Sequence, residues 1–361
     1  MNPEAFSLFL RIYLNKYYDI MITMNILFFG TSLAEQKTLS EYLPGINTVF
    51  YGEKLSEENV DKAKNAEIIS VFVDSEINRE IIDALPGLKF IATRSTGFDH
   101  IDLKYTESKG IKVSNVPVYG SHTVAEFTFA LILALSRKIY SAYNHLRDGA
   151  DFSIRNLDGF DLKGKTLGVI GTGKIGKNVI KIAKGFEMDV LAHDLHPDMD
   201  FAKEMNFQYK SLSETVAGSD ILTLHTFYNK ESYHLISKEN ILLMKRGVYI
   251  INTARGELID TDALIWGLKE RIIAGAGLDV LEGERELKEE TEVLASAKKA
   301  ERVKDYKTLL EDRVLIDMPN VIVTPHVAFY SKEAEEKIIK TTAENVQAFI
   351  NGSPVNLVKS N

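Results

Sequence analysis

The sequence predicts an α/β protein made of two units, each a parallel sheet covered by helices. Two observations predict it. Short apolar runs alternate with helical patterns along nearly all 361 residues, as expected for strands joined by crossover helices. A glycine-rich loop follows a strand pattern only in the later half of the chain, so the two units have different tasks. The length also suits two domains at roughly 150 residues each.

The early strand candidates are 26–29, 68–73, 90–93 and 113–116. The later ones are 167–170, 190–192, 221–224, 248–251, 275–278 and 321–323. A crossing between units is expected near Asn115-Val-Pro-Val-Tyr119-Gly120, followed by a long helix over 122–146. A final helix over 331–351 has Ser331 as its N-cap and stops before Gly352. Residues 285–318 are mostly charged and read as a solvated helical excursion, the other reading being a partner-binding arm. The first 23 residues lack a basic start and an A-x-A site, and Arg11, Lys16 and Asp19 interrupt their apolar run. A signal peptide is therefore not expected. Met24 then opens the strand pattern Asn25-Ile-Leu-Phe-Phe-Gly30. Either translation starts at Met24 or Met21, or residues 1–23 form a short amphipathic helix.

Composition excludes several classes. With 45% apolar and 26% charged residues and only 8 prolines, the chain is globular. It has no cysteine, so disulfides, zinc ribbons and thiol nucleophiles are excluded, and a reducing, cytoplasmic setting suits it. Lys and Arg total 43 against 51 Asp and Glu, a net charge of −8 without a basic block, so no nucleic-acid partner is expected. No apolar run reaches the roughly 18 residues of a membrane span, so no membrane role is expected.

The motif that carries chemistry is Gly171-Thr-Gly173-Lys-Ile-Gly176, between a buried strand and a helical pattern. Gly171 permits the tight turn, Gly173 lets backbone meet a pyrophosphate, and Gly176 lets helix and strand pack closely. Asp194 ends the next strand, 18 residues after Gly176. A carboxylate there accepts from ribose hydroxyls and repels a 2′-phosphate, so NAD is expected over NADP. His193, Asp194 and His196 could be read as metal ligands, but no further ligand lies nearby and no metal is expected.

Three later strands end at Arg255, at Asp279-Val-Leu-Glu282-Gly-Glu284 and at His326. Ligands of open α/β sheets bind at such ends. An arginine fork grips a carboxylate. A histidine holds and gives a proton near neutral pH, and a neighbouring glutamate stabilises its charged form. Together they point to redox chemistry on a small acid.

From residue 94 onward the sequence resembles the D-isomer-specific 2-hydroxyacid dehydrogenases, most of all their fermentative D-lactate branch. The resemblance rests on Arg94-Ser-Thr-Gly-Phe-Asp-His-Ile-Asp102, Asn115-Val-Pro-Val-Tyr119, Val124-Ala-Glu126, the stretch from Gly164 through Gly176, Asn252-Thr-Ala-Arg-Gly256, Asp279-Val-Leu-Glu-Gly-Glu-Arg285 and Thr324-Pro-His-Val-Ala-Phe-Tyr330. It implies two Rossmann/flavodoxin-like domains. Residues 24–120 with 328–361 would be the substrate domain, 121–327 the NAD-binding domain inserted within it, and 1–23 an extension without a family counterpart.

The resemblance makes Arg255 the carboxylate clamp, His326 the acid/base and Glu284, rather than Glu282, its partner. Gly171, Gly173, Lys174, Ile175, Gly176, Asp194, Thr226, Phe227, Ser232, Thr253, Ala254 and Asp279 would contact NAD, with Asp279 on the nicotinamide amide. Thr96, Gly97, Tyr119 and Phe329 would line the substrate pocket with Arg255. Two features depart from the family pattern. Thr226-Phe227 stands where proline is common, and Arg285 replaces an acidic-proline pair. The expected reaction is reversible NADH-dependent reduction of pyruvate, or a close small 2-oxo acid, to the D-2-hydroxy acid by a homodimer or homotetramer. The alternatives are a glyoxylate, hydroxypyruvate or branched 2-oxo acid reductase, and a non-catalytic NAD-sensing protein like the family's corepressors.

Overall fold

The computed structural model describes residues 24–149, 152–284, 287 and 306–360. The 1–23 extension and most of the charged 285–305 stretch lie outside the described residues. The chain divides into two units. One comprises the residues up to Tyr119 and from Ser331 onward, and the other is Gly120–Tyr330.

The first unit starts with β1 (Ile26–Phe28), α1 (Leu33–Tyr42), β2 (Thr48–Phe50), β3 (Ile68–Val71), α2 (Arg79–Ala84), β4 (Phe90–Thr93), α3 (Leu103–Ser108) and β5 (Lys112–Ser114). The second unit follows with α4 (Ser121–Ser136), α5 (Ile139–Arg147), β6 (Thr166–Ile170), α6 (Lys174–Gly185), β7 (Asp189–His193), α7 (Met199–Glu204), β8 (Gln208–Tyr209), α8 (Leu212–Gly218) and β9 (Ile221–Leu224). It continues with α9 (Lys238–Leu243), β10 (Val248–Asn252), α10 (Thr261–Lys269), β11 (Ile273–Leu278), α11 (Tyr306–Asp317) and β12 (Val321–Val323). The chain then returns to the first unit as α12 (Lys332–Ile350) and β13 (Leu357–Val358).

The first sheet runs β13-β5-β4-β3-β1-β2 and the second β12-β11-β10-β9-β6-β7-β8. Each is buried on both faces, which is why its strands read as continuous apolar runs. Alternate residues serve opposite layers. Ile26 and Phe28 pack with α12, while Leu27 and Phe29 pack on the other side. In the second unit Ile221 and Ile251 face the layer of α4 and α6, while Leu222 and Ile250 face that of α9 and α10. In the second sheet the chain runs β6 to β8 on one side, then restarts with β9 on the other side of β6. That reversal leaves a crevice beyond the carboxyl ends of β6 and β9, where open α/β sheets bind ligands.

Several expectations are corrected. β13 is antiparallel to β5, so the first sheet is not wholly parallel. The expected long helix breaks into α4 and α5 at Lys138, whose φ is +50°. There Phe160 N donates to Ser136 O at 2.9 Å, taking a carbonyl that a continuous helix would use. Gly159 is needed for this approach, since a Cβ would lie 2.3 Å from that oxygen. The described part of the charged excursion is not merely solvated. α11 buries Leu309, Asp312 and Leu315, and Leu315 joins the core beneath α10. The return to the first unit comes at Ser331 rather than 328, because Ala328 N is bound to Asp279 of the second unit. Ser331 does cap α12, its hydroxyl accepting from Ala334 N.

Candidate active site

The loop after β6 has the shape of a phosphate cradle. Gly171 sits at φ +91°, and a Cβ there would lie 2.6 Å from His225 O. A Cβ on Gly176 would lie 2.1 Å from Gly171 O. At Gly173, the N-cap of α6, nothing among the described residues lies within 4 Å of such a position. This leaves bare backbone and open space before the N–H groups of a 12-residue helix with no acidic residue in its first turn. That environment favours an anion. Lys174 is exposed and Ile175 half-buried at the same end.

Asp194 is tied to this loop. Its Oδ2 accepts from Thr172 N at 2.6 Å and from the Thr172 hydroxyl at 2.9 Å, and its Oδ1 accepts from His196 N at 2.8 Å. Burial pushes its pKa up, but these donors outweigh that and hold it below the usual carboxylate value. The carboxylate is thus a fixed negative group at the end of β7. His193 Nδ1 is bonded to Lys210 O. Among the described residues no group of three His, Asp or Glu side chains could hold a metal.

The remaining expected coenzyme positions differ from one another. Phe227 is 82% exposed beyond β9, next to half-buried Thr226. Ser232 is buried and its hydroxyl donates to Phe227 O at 2.8 Å. Thr253 is buried and its hydroxyl pairs with that of Thr128 on α4 at 3.0 Å. Ser232 and Thr253 therefore brace their loops from inside.

Past β10, Asn252 folds the loop: its Oδ1 accepts from Ala254 N at 3.0 Å and its Nδ2 donates to Arg255 O at 2.8 Å. Arg255 is half-buried and extended, with Nη1 donating to Ala254 O. Gly256 packs directly on the next turn, where a Cβ would fall 2.0 Å from the Leu281 carbonyl carbon.

Asp279, 1% exposed, anchors the other loop. Its Oδ1 accepts from the Thr324 hydroxyl at 2.6 Å and Val327 N at 2.9 Å, and its Oδ2 from Ala328 N at 2.8 Å. Burial nevertheless pushes its pKa above the usual value. This carboxylate thereby braces the 324–328 loop. Held by that loop, His326 takes φ +55° and donates its N–H to Asp279 O and Thr324 O. Its Nδ1 lies 2.9 and 3.0 Å from the two oxygens of Glu284. Phe329 stands edge-on, with ring centroids 6.2 Å apart.

The expected substrate residues of the first unit lie past its strand ends. The Thr96 hydroxyl donates to Val116 O, Gly97 O accepts from Ser95, and Tyr119 is half-buried. Sequence reading missed Thr172, Thr128, Asn252 and His225. Part of His225 reaches solvent, yet its Nδ1 is buried and has no hydrogen-bond partner among the described residues. Thr172 and Thr128 act through Asp194 and Thr253, 22 and 125 residues away, so no local pattern marks them.

A family model for the D-isomer specific 2-hydroxyacid dehydrogenase NAD binding domain matches residues 129–328. The chain belongs to the D-isomer-specific 2-hydroxyacid dehydrogenases. Similar relatives include an aromatic 2-oxoacid reductase of Clostridium sporogenes, 43% identical over 73% of this chain and 76% of the relative. D-lactate dehydrogenase of Escherichia coli is 40% identical over 72% of this chain and 75% of its own length. Among solved structures, D-lactate dehydrogenase from Aquifex aeolicus complexed with NAD and lactic acid superposes with a TM-score of 0.81 at 39% identity. That match covers 91% of this chain and 96% of the other. This dehydrogenase is an NAD enzyme, and the open backbone at Gly173 and the carboxylate of Asp194 fit that coenzyme.

Proposed function

We propose that the chain reduces pyruvate, or a close small 2-oxo acid, to the D-2-hydroxy acid, and runs the reaction in reverse. The observation that carries this reading is the His326–Glu284 pair, with Nδ1 within 3.0 Å of both carboxylate oxygens. Glu284 accepts from Nδ1 and stabilises the doubly protonated ring, so Nε2 carries the proton that the forming alkoxide takes. Arg255 grips the substrate carboxylate through its planar fork and polarises the keto oxygen. Asp279 holds the His326 loop in its left-handed turn. NAD in its reduced form supplies the hydride. Gly171, Gly173, Lys174, Ile175 and Gly176 would hold the pyrophosphate, Asp194 the ribose, Asp279 the nicotinamide amide, and Thr226, Phe227, Ser232, Thr253 and Ala254 other parts of the coenzyme. Thr96, Gly97, Tyr119 and Phe329 would shape the substrate pocket.

A second reading is a larger, aromatic 2-oxo acid, which the 43% identity to the Clostridium enzyme favours. A panel of pyruvate, glyoxylate, hydroxypyruvate, 4-methyl-2-oxopentanoate and phenylpyruvate separates the two. The highest kcat/KM on pyruvate supports the first reading, and the highest on phenylpyruvate replaces it. The margin will be modest if size alone discriminates, because one methylene is worth about 1–3 kcal/mol. Binding of NADH without turnover of any of these acids would leave the NAD-sensing reading.

The proposal includes a cytoplasmic homodimer or homotetramer. Helix α5 buries none of its residues and exposes Ile139, Tyr140, Tyr143 and Leu146, an apolar face that a second copy would cover. Light scattering tests this. A wild-type oligomer that Tyr143→Glu converts to monomer supports it, and a monomeric wild type refutes it.

A further inference from the structure

Two residues before Glu284, the same turn bears a second histidine–carboxylate pair. Glu282 Oε1 lies 2.8 Å from His234 Nε2 and accepts the Tyr233 hydroxyl at 3.3 Å. Glu282 Oε2 accepts the hydroxyl of Thr261, the first residue of α10, at 2.8 Å. The His234 ring stacks on Tyr233 with centroids 3.8 Å apart, and its Nδ1 lies 3.9 Å from Asp260. His234 itself sits at φ +51°, its N–H donating to Glu257 O. The glutamate and histidine side chains are only 17% and 28% exposed. The next residue, Gly283, donates its N–H to Asp312 Oδ2 of α11 at 3.0 Å. Three consecutive residues therefore point to three places: Glu282 to the 225–237 loop and α10, Gly283 to α11, and Glu284 to His326.

We propose that Glu282 and His234 are positioning residues for the reduction. A carboxylate held by a histidine, a threonine and a tyrosine cannot swing, so the turn that carries Glu284 is fixed where its oxygens meet Nδ1 of His326. The proposal rests on the acid–base reading of Glu284 and His326. Its physical content is that a shift of about 1 Å in a group that orients an acid costs on the order of a hundredfold in rate.

A double-mutant cycle on the full-length protein tests it, with kcat for pyruvate and NADH affinity measured on every variant. Glu282→Ala is expected to lower kcat roughly tenfold or more in the wild-type background. In the Glu284→Gln background it should have no further effect, because the group it positions is already lost. His234→Ala should behave in the same way. His234→Gln, whose amide reaches Glu282 as Nε2 does, should recover most of the rate. A general loss of structure would lower kcat by the same factor in both backgrounds, and that result overturns the proposal. If Glu282→Ala does not fold, as judged by circular dichroism, His234→Ala and His234→Gln complete the same cycle. A Glu284→Gln enzyme with wild-type kcat would overturn the acid–base reading and this proposal with it. A slow Glu284→Gln enzyme with equal losses in both backgrounds overturns this proposal alone.

Discussion

Arg94 and Arg255 each stand just past the carboxyl end of a strand, one in each unit, and their surroundings differ completely. Arg94 is 1% exposed. Its Nη2 donates to Phe29 O and Gly30 O at 2.7 Å, and its Nη1 to Ser70 Oγ at 3.2 Å. Burial lowers its pKa, against the opposing pull of Glu35 and Asp74. This guanidinium is committed to joining the ends of β1, β3 and β4. Arg255 is half-buried, and its Nη1 donates to the neighbouring Ala254 carbonyl. The same unit carries two histidine–carboxylate pairs and an open glycine cradle. Residue type at a strand end therefore does not decide function. Burial and the identity of the partners do.

The largest effect is expected at His326, in the second unit. His326→Gln should lower kcat by about 10²–10⁴-fold while NADH still binds, as followed by steady-state rates and fluorescence titration. Near-normal turnover would show that the second unit's edge does not supply the proton. Next, Arg94→Ala should cost at least about 3 kcal/mol in urea unfolding, since it strips donors from buried carbonyls. A small change would mean Arg94 is no more structural than Arg255. Arg255→Lys should leave stability nearly unchanged and lower kcat/KM for pyruvate by roughly tenfold to a hundredfold, because the two-bond fork is lost. An unaltered kcat/KM would remove it from the substrate carboxylate.

A further expected effect concerns pH. Burial holds the His225 imidazole down to about 3, from an ordinary value of 6.5. The unfolded chain therefore takes up this proton first as pH falls. Stability that is full above about 6.5 should decline as the pH drops toward 3. His225→Asn should flatten that acid decline in melting temperature. An equally steep decline would assign it to other groups.

The glycine loop was legible because each glycine answers a local demand: a left-handed turn at Gly171, close packing at Gly176, open backbone at Gly173. The long strands were legible because burial on both faces makes them continuous apolar runs. β2, β8 and β13 were not, being edge strands without a buried residue and so without a continuous apolar run. The break at Lys138 was hidden because its cause, Phe160 on Ser136 O, lies more than twenty residues downstream. At the site, residue types at strand ends named Arg255 and His326, and family resemblance chose Glu284 over Glu282. What neither could give is the inward turn of Asp279 or the second pair at Glu282, since both are set by tertiary contacts across the unit.

Incubating the purified protein with NADH and pyruvate, following loss of the reduced-nicotinamide absorbance and resolving the product by chiral chromatography tests the D-lactate reading as a whole. Rapid oxidation yielding D-lactate is the predicted result. L-lactate, a racemic product, or stable NADH in the presence of pyruvate and every other 2-oxo acid of the panel would contradict it.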